Sequence, residues 1–306
     1  MLVRHLYFFV TLAREKHFRR AAEACNVTQP TLSAAIRKLE EDLDIRLVVR
    51  GHQFLGLTPE GERVLEWARQ IIADYESLRV GLSGLRKGLT GALRLGVVPA
   101  AMLSISFLTS RFCAAHPAAT VEVRSMSSQS IQRGLDSLEL DAGLTYLNNE
   151  PLENIRRMEL YRERYVFVTS RASRHAAAKT ITWAEAVRES LCLLSEDMQN
   201  RRIINNVAAS LGLTIKPAVV SNSYLGVWSH LRRGAWASIV PHTFFYVFGR
   251  APDLVAIDLV EPVHSQSVGL VFSDRDPLSP MANALLKSTH DADFEADLAE
   301  AAHGQV

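Results

Sequence analysis

Between residues 29 and 43 the apolar positions Leu32, Ile36, Leu39 and Leu43 recur at intervals of four, three and four. Intervals near 3.6 place them on one stripe of a helix that packs inward. Thr28 supplies a capping hydroxyl, and Pro30 falls in the first turn, where its missing N–H has no partner to lose. Upstream, Ala21, Ala22 and Cys25 are small enough for a second helix to cross closely, and Val27 offers an apolar plug for the turn between the two. The pattern predicts two helices joined by a buried turn, the second presenting Gln29, Thr31, Ser33, Arg37 and Lys38 outward. Such a face, rich in donors and mostly uncharged at its N-terminal end, suits base edges in the major groove. An ordinary amphipathic helix with a solvated face has the same stripe, so the helix pair alone leaves both readings open.

The next segments decide between them. Residues 44–58, DIRLVVRGHQFLGLT, hold a β-branched run, Arg50-Gly51 and a second apolar stretch, which predicts a two-stranded wing resting on phosphates. In residues 59–87, Val64, Ala68, Ile71, Tyr75, Leu78, Leu82 and Leu85 alternate at intervals of four and three. That is a heptad seam, which a long helix buries most simply against the same helix of a second copy. The DNA-binding unit is then a dimer reading two half-sites. Gly81, Gly84, Gly88 and Gly91 weaken the end of this helix and predict a hinge at 88–91.

From residue 92 strands and helices alternate. Strands are expected at 92–98, 120–126 and 141–147, with helices at 101–116 and 128–140 between them, a βαβαβ order that implies a parallel sheet. A second, similar run has strands at 164–170, 191–195, 217–221 and 237–241 and helices near 182–189, 200–211 and 223–234. A strand at 266–273 and a helix at 280–290 close the chain. The expectation is an α/β domain of two lobes, 92–161 with 267–306 and 162–266. Ligands of open α/β sheets sit beyond the carboxyl ends of the strands, where helix N-termini make an anion site. The walls would be Pro99, Ala100, Ser127, Ser128, Gln129, Thr145, Asn200, Arg201, Ser223 and Pro241. Each has a plainer reading: Ser127 and Ser128 as helix caps, Thr145 as a satisfied strand end, Asn200 and Arg201 as a solvated helix start. Trp228 and Trp236 read as core.

At 306 residues the chain exceeds one comfortable core. The net charge of +1 conceals an asymmetry: residues 1–58 carry nine Lys or Arg against six Asp or Glu, a net +3. That is modest for a nucleic-acid binder, so affinity has to come from dimerisation and placement. Cys25, Cys113 and Cys192 have no metal or disulfide spacing and read as reduced thiols, with a redox pair Cys113/Cys192 as the alternative. The N-terminal apolar run is too short for a signal peptide or a membrane span, so a cytoplasmic protein is expected. No GxSxG, GxGxxG, P-loop or HExxH motif occurs. His116, His230, His242 and His264 remain the candidates for meeting a carboxylate in space. The expectation is a protein that is not an enzyme and has no cofactor or metal. An architectural DNA binder without an effector is the rival, and it would not need two α/β lobes.

On QPTLSAAIRKLEEDL at 29–43, RLVVR at 46–50 and LTPEG at 57–61, the chain resembles the LysR-type transcriptional regulators. The resemblance runs the whole length and is strongest over 1–87. It implies an all-α winged helix-turn-helix with a long linker helix, followed by a two-lobed, periplasmic-binding-protein-like effector domain. Gln29, Pro30, Thr31, Ser33 and Arg37 match the base-reading helix, and Arg50 matches the wing arginine. The implied partners are double-stranded promoter DNA, a small-molecule effector such as a small carboxylate or other anion, a second copy in a homodimer or homotetramer, and RNA polymerase, with no membrane. Asp44 departs from the family's usual helix-ending glycine, Ala34 from a polar or basic residue, and His52 and Gln53 from a basic wing residue. Pro99, Ala100 and Ala101 lack the hydroxyl common at the start of the helix after the first strand. REKHFRRAAEACNVTQPTLSAAIRKLEEDL and FLGLTPEGERVLEWARQI resemble the branch found beside formate dehydrogenase operons. That likeness implies formate or another small carboxylate as effector, with an oxidant response through the cysteines as the alternative.

Overall fold

A computed structural model describes residues 2–50, 54–149, 152–249, 251–290 and 292–303. The chain divides into two compact units, Met1–Thr90 and Gly91–Val306. The first unit holds α1 (Leu2–Glu15), α2 (Phe18–Ala24), α3 (Gln29–Leu43), a hairpin of β1 (Val48–Arg50) and β2 (Phe54–Leu57), and α4 (Pro59–Lys87).

Its core gathers Phe9, Leu12, Ala21, Leu32, Ile36, Leu39, Leu47 and Ala68, with Cys25 and Val27 packed at its edge. Thr28 caps α3 by accepting from the Thr31 amide at 3.3 Å. Asp44 ends that helix at φ 52°, ψ 37°, a left-handed conformation that a short polar side chain tolerates where glycine would otherwise stand. The inward stripe stops at Leu39. Leu43 is exposed, because the reversal at Asp44 brings Ile45 onto the core instead. The wing is fixed to α3 by Glu40, a buried carboxylate whose Oε1 accepts from the amides of Leu47 (3.0 Å) and Val48 (3.3 Å). Gly61 lets α4 pass close behind: a Cβ there would lie 2.1 Å from the Leu47 carbonyl oxygen.

The second unit contains β3 (Gly91–Val97), α5 (Ile105–Ala115), β4 (Ala119–Ser125), α6 (Ser128–Asp136), β5 (Ala142–Tyr146), β6 (Ile155–Ser170), β7 (Thr180–Thr182), α7 (Trp183–Ala186), β8 (Cys192–Leu194), α8 (Gln199–Ser210), β9 (Val219–Ser221), α9 (Tyr224–Leu231), β10 (Ser238–Pro241), α10 (Phe244–Phe248), β11 (Leu254–Val260), β12 (Ser265–Ser273), α11 (Pro280–Thr289) and α12 (Phe294–His303). The main sheet runs β4-β3-β5-β12-β6-β11-β7, with β10 also paired to β6. The first three strands are parallel, as βαβαβ order requires.

Four expectations need correcting. The lobe boundary placed between residues 161 and 162 falls inside β6, a 16-residue strand. Its first part pairs with β12, and its last part with β10 and β11. Charges at Arg156, Arg157, Glu159, Arg162 and Arg164 hide the two-residue alternation of that strand. Second, β11 and α10 were not foreseen; β6 runs antiparallel to β10 and β11 in the second lobe as β12 does to β5 in the first, so each lobe sets an antiparallel strand beside parallel ones. Third, the helix expected at 101–116 breaks into a 3₁₀ turn, Ala101–Leu103, and α5. Fourth, α12 extends the chain beyond the helix expected to close it.

Replacing Glu40 by Ala strands two buried amides, which costs about 1–3 kcal/mol for each unsatisfied group before relaxation. Denaturant unfolding followed by helix signal should therefore show a large loss for Glu40→Ala and a smaller one for Glu40→Gln, which keeps an acceptor.

Candidate functional site

On α3, Gln29, Pro30, Thr31 and Arg37 are exposed and Ser33 is half-buried, so the N-terminal half of the helix offers its polar side chains to solvent. Thr31 also bonds the capping residue, Oγ1 to Oγ1, at 2.8 Å. Lys38 is tied to Asp42 (2.9 Å) and Glu41 (3.8 Å), so part of its charge is spent along its own helix. Arg50 ends β1, while its side chain and residues 51–53 at the wing tip, with the departures at 52 and 53, lie outside the described residues.

The seam of α4 differs from its prediction. Ala68 is buried in its own unit and Val64 packs against the same core. Trp67, Ile71, Tyr75, Leu78 and Leu82 form the exposed row, from 40% to 66% accessible. Trp67, four residues before Ile71, was missed because the heptad frame placed Ala68 on the outer face. The Leu85 side chain lies outside the described residues.

In the second unit, β5, β6, α8 and α9 converge on a buried polar cluster. Tyr146 donates to Glu163 Oε1 and accepts from Asn200 Nδ2 at 2.9 Å, and the Tyr224 hydroxyl donates to Asn200 Oδ1 at 3.0 Å. Beside them Thr145 Oγ1 bonds Gln199 Oε1 at 3.1 Å, and Gln199 Nε2 reaches the Asn149 carbonyl. Glu163 has no exposed surface, and its Oε2 has no partner. The buried Tyr165 hydroxyl approaches Tyr146 and Asn200 without completing a hydrogen bond to either, and Thr243 Oγ1 and Ser195 Oγ are also open. Burial pushes the Glu163 carboxyl up to about 8, against the pull of the Tyr146 hydrogen bond. Burial, and after it the Glu163 charge, raises Tyr146, Tyr161, Tyr165 and Tyr224 well above the usual phenol range. All five groups are therefore neutral near pH 7.

The start of α8 borders this cluster. Met198 gives it no side-chain cap, and the amides of Gln199, Asn200 and Arg201 donate to nothing among the described residues, although all three residues are buried. Arg201 does not face the cluster with a free charge: its guanidinium bonds the Leu194 carbonyl and Asn205 Oδ1, both at 2.9 Å, and approaches Glu196 at 3.5 Å.

Of the expected effector residues, Thr145 and Asn200 meet in this region, and Pro241 ends β10 opposite Tyr165. Ser127 and Ser223 are spent as helix caps, bonding the Ser130 amide (3.3 Å) and the Leu225 amide (3.2 Å). Ser128 and Gln129 border a separate open hollow of about 520 Å³ with Arg133 and Asn154. Ala100 is buried and Pro99 half-buried, neither with a polar side chain. The next hydroxyl along the chain, Ser104 after the 3₁₀ turn, is buried and bonds Tyr161 at 2.9 Å. Glu163, Tyr146, Tyr165, Gln199 and Tyr224 were missed. The legible signal was Tyr161, Glu163, Tyr165 and Phe167 on one face of a strand.

His230, His242 and His264 bond the Gly226 carbonyl, the Arg164 amide and Gln266, and not a carboxylate. Cys192 is buried, which pushes its thiol up to about 11, while Cys113 is exposed. A thiol so protonated is a poor redox partner.

Residues 3–62 match the family model described as bacterial regulatory helix-turn-helix protein, lysR family, and residues 86–293 match that of the LysR substrate binding domain. The chain belongs to the LysR family. This LysR-type chain is 41% identical over 142 residues to the SDS degradation transcriptional activation protein of a Pseudomonas strain. That match spans 45% of this chain and 46% of its relative, about half of each. A variant of full-length OxyR from Pseudomonas aeruginosa superposes with a TM-score of 0.75 at 22% identity, covering 95% of this chain and 98% of that one. Full-length CbnR complexed with its target DNA gives 0.64 at 21%, covering 95% and 99%. At those identities the LysR-type chain shares their fold.

A carboxyl held at a higher pKa in the fold than in the unfolded chain favours the folded state fully at low pH and loses that contribution as pH rises to the folded value. For Glu163 the window runs from about 4.5 to about 8. Glu163→Gln should therefore gain stability relative to the wild type across that window and hold the gain above it. Denaturant midpoints of both proteins at successive pH values check this. His242, pushed down to about 4 mainly by burial, acts equally in both proteins and cancels.

Proposed function

We propose that this LysR-type protein is a cytoplasmic transcriptional regulator that binds double-stranded promoter DNA as a homodimer or homotetramer and answers to a small-molecule effector held between its two α/β lobes. The outward N-terminal half of α3 carries the reading. Its first turn is fixed by Thr28, so Gln29, Pro30, Thr31, Ser33 and Arg37 reach base edges from a rigid support, and Arg50 takes a phosphate from the wing. CbnR, which has this fold, has been seen on its target DNA. The exposed row from Trp67 to Leu82 meets its equivalent in a second copy. Contact with RNA polymerase follows as the output, and the glycines at 88–91 let the angle between domains change.

The effector's oxyanion sits at the free amides of Gln199, Asn200 and Arg201, where the helix end favours negative charge by about 0.3–2 kcal/mol. Thr145 and Asn200 border that place through their bonds to Gln199 and Tyr146, and in this reading Pro241, Pro99 and Ala100 complete its wall. Ser127, Ser128, Gln129 and Ser223 drop out, because they are spent on caps or face another hollow.

Three outcomes test this. DNA fragments bound by the purified protein, sequenced with and without formate and other small carboxylates, should be enriched in an inverted repeat whose footprint one compound changes; recovery of random DNA alone would sink the reading. Arg37→Ala should weaken operator binding, and Ser33→Ala should alter base preference by about 1–3 kcal/mol; equal losses on operator and random DNA would contradict base reading. Leu78→Lys with Leu82→Lys should shift sedimentation toward the monomer and weaken operator binding.

A further inference from the structure

The buried polar cluster has two unlike ends. At α8 the open groups are all donors, the amides of Gln199, Asn200 and Arg201. One side chain away, linked through Asn200 and Tyr146, the open group is a carboxyl oxygen, Glu163 Oε2, with the Tyr165 hydroxyl next to it. Among the described residues no cation serves that carboxyl. The groups facing it are Tyr146 from β5, Tyr161 and Tyr165 from its own strand, and Asn200 and Tyr224 from α8 and α9. None carries positive charge, and Arg201 is engaged elsewhere.

A glutamine would fill the same space and bond Tyr146 without the cost of burying an ionisable group. What a carboxyl adds is the ability to ionise against a cation. A plain carboxylate ligand would satisfy α8 and place a second acid near Glu163, leaving it without a counter-charge. A ligand with a protonated amine completes both ends: Glu163 Oε2 and the Tyr165 oxygen accept from the ammonium, and the α8 amides donate to the oxyanion. Glu163 gives up its proton to solvent as the ammonium arrives, so the pair forms as a charge-assisted contact inside the protein.

The geometry points to an effector of the amino-carboxylate class, with its ammonium on Glu163 and Tyr165 and its carboxylate at the start of α8. This rests on the cleft being the effector site, and the test keeps the two apart. The full-length protein is titrated, with thermal unfolding and calorimetry as readouts, with acetate, propionate and formate; with ethylammonium; and with glycine, β-alanine, γ-aminobutyrate and the protein amino acids.

An amino-carboxylate should bind about 10- to 100-fold more tightly than the carboxylate lacking its amine, the span expected of one hydrogen-bonded charge. Glu163→Gln should erase that difference and leave carboxylate binding unchanged, with Tyr165→Phe as a second variant that removes only a hydroxyl. Affinity should rise about tenfold per pH unit up to about pH 8 and then level, with a proton released on binding; the tyrosines stay neutral throughout that range. Equal binding of a carboxylate with and without its amine, unmoved by Glu163→Gln, overturns the inference and leaves the cleft as an oxyanion site. Proton uptake on binding overturns it in the same way. If no probe shifts any of the proteins, the inference and the cleft reading fall together.

Discussion

The second unit depends on one strand and on the acid it carries into the interior. β6 is shared by both lobes, pairing with β12 in one and with β10 and β11 in the other, and it places Glu163 where no solvent reaches. A carboxyl taken out of water is costly unless it is neutral or paired. Here it is kept neutral, and its neighbours are arranged around that state. Tyr146 holds one oxygen, Asn200 holds Tyr146, and Tyr224 holds Asn200. These bonds are also ties between lobes, because Tyr146 belongs to the first and Asn200 and Tyr224 belong to the second. The link from Thr145 to Gln199 adds another tie beside them.

A buried acid is used differently in the first unit. Glu40 faces two amides and, at 3.6 Å, the guanidinium of Arg46. Both amides are fixed backbone donors, so the group locks the wing to α3 and leaves little to a ligand. Glu163 has one fixed partner and one open oxygen. One acid therefore acts as a clamp within a DNA-reading domain, and the other keeps one buried oxygen open.

The first unit was legible because its signals are local. The stripe Leu32, Ile36 and Leu39, the cap Thr28 and the left-handed Asp44 follow from residues a few positions apart. The heptad pattern gave the exposed face of α4 but not where it begins, since whether Ala68 packs inward depends on α1, which no spacing within α4 reveals. In the second unit the parallel βαβαβ half could be read and the crossover could not. Charges on the outer face of β6 masked a strand whose inner face is Tyr161, Glu163, Tyr165 and Phe167. The site shared that fate. Loop logic found Thr145 and Asn200, which lie at element ends, and missed Glu163, which lies mid-strand and matters only because three other elements close over it.

The same network limits how a ligand could act. An effector shifts an equilibrium only by its differential affinity for the two states, and moving from mostly one to mostly the other takes about 5.5 kcal/mol. Completing one hydrogen bond to a charged group supplies about 1.5–3 kcal/mol. A single such contact therefore falls short of an all-or-none response. Two such contacts, about 3–6 kcal/mol together, reach it only at the top of that range, and four exceed it. On the proposed pairing of copies through the exposed row from Trp67 to Leu82, that row would serve sensing as well as half-site spacing, because it would add the small gains of separate sites into one change at the DNA.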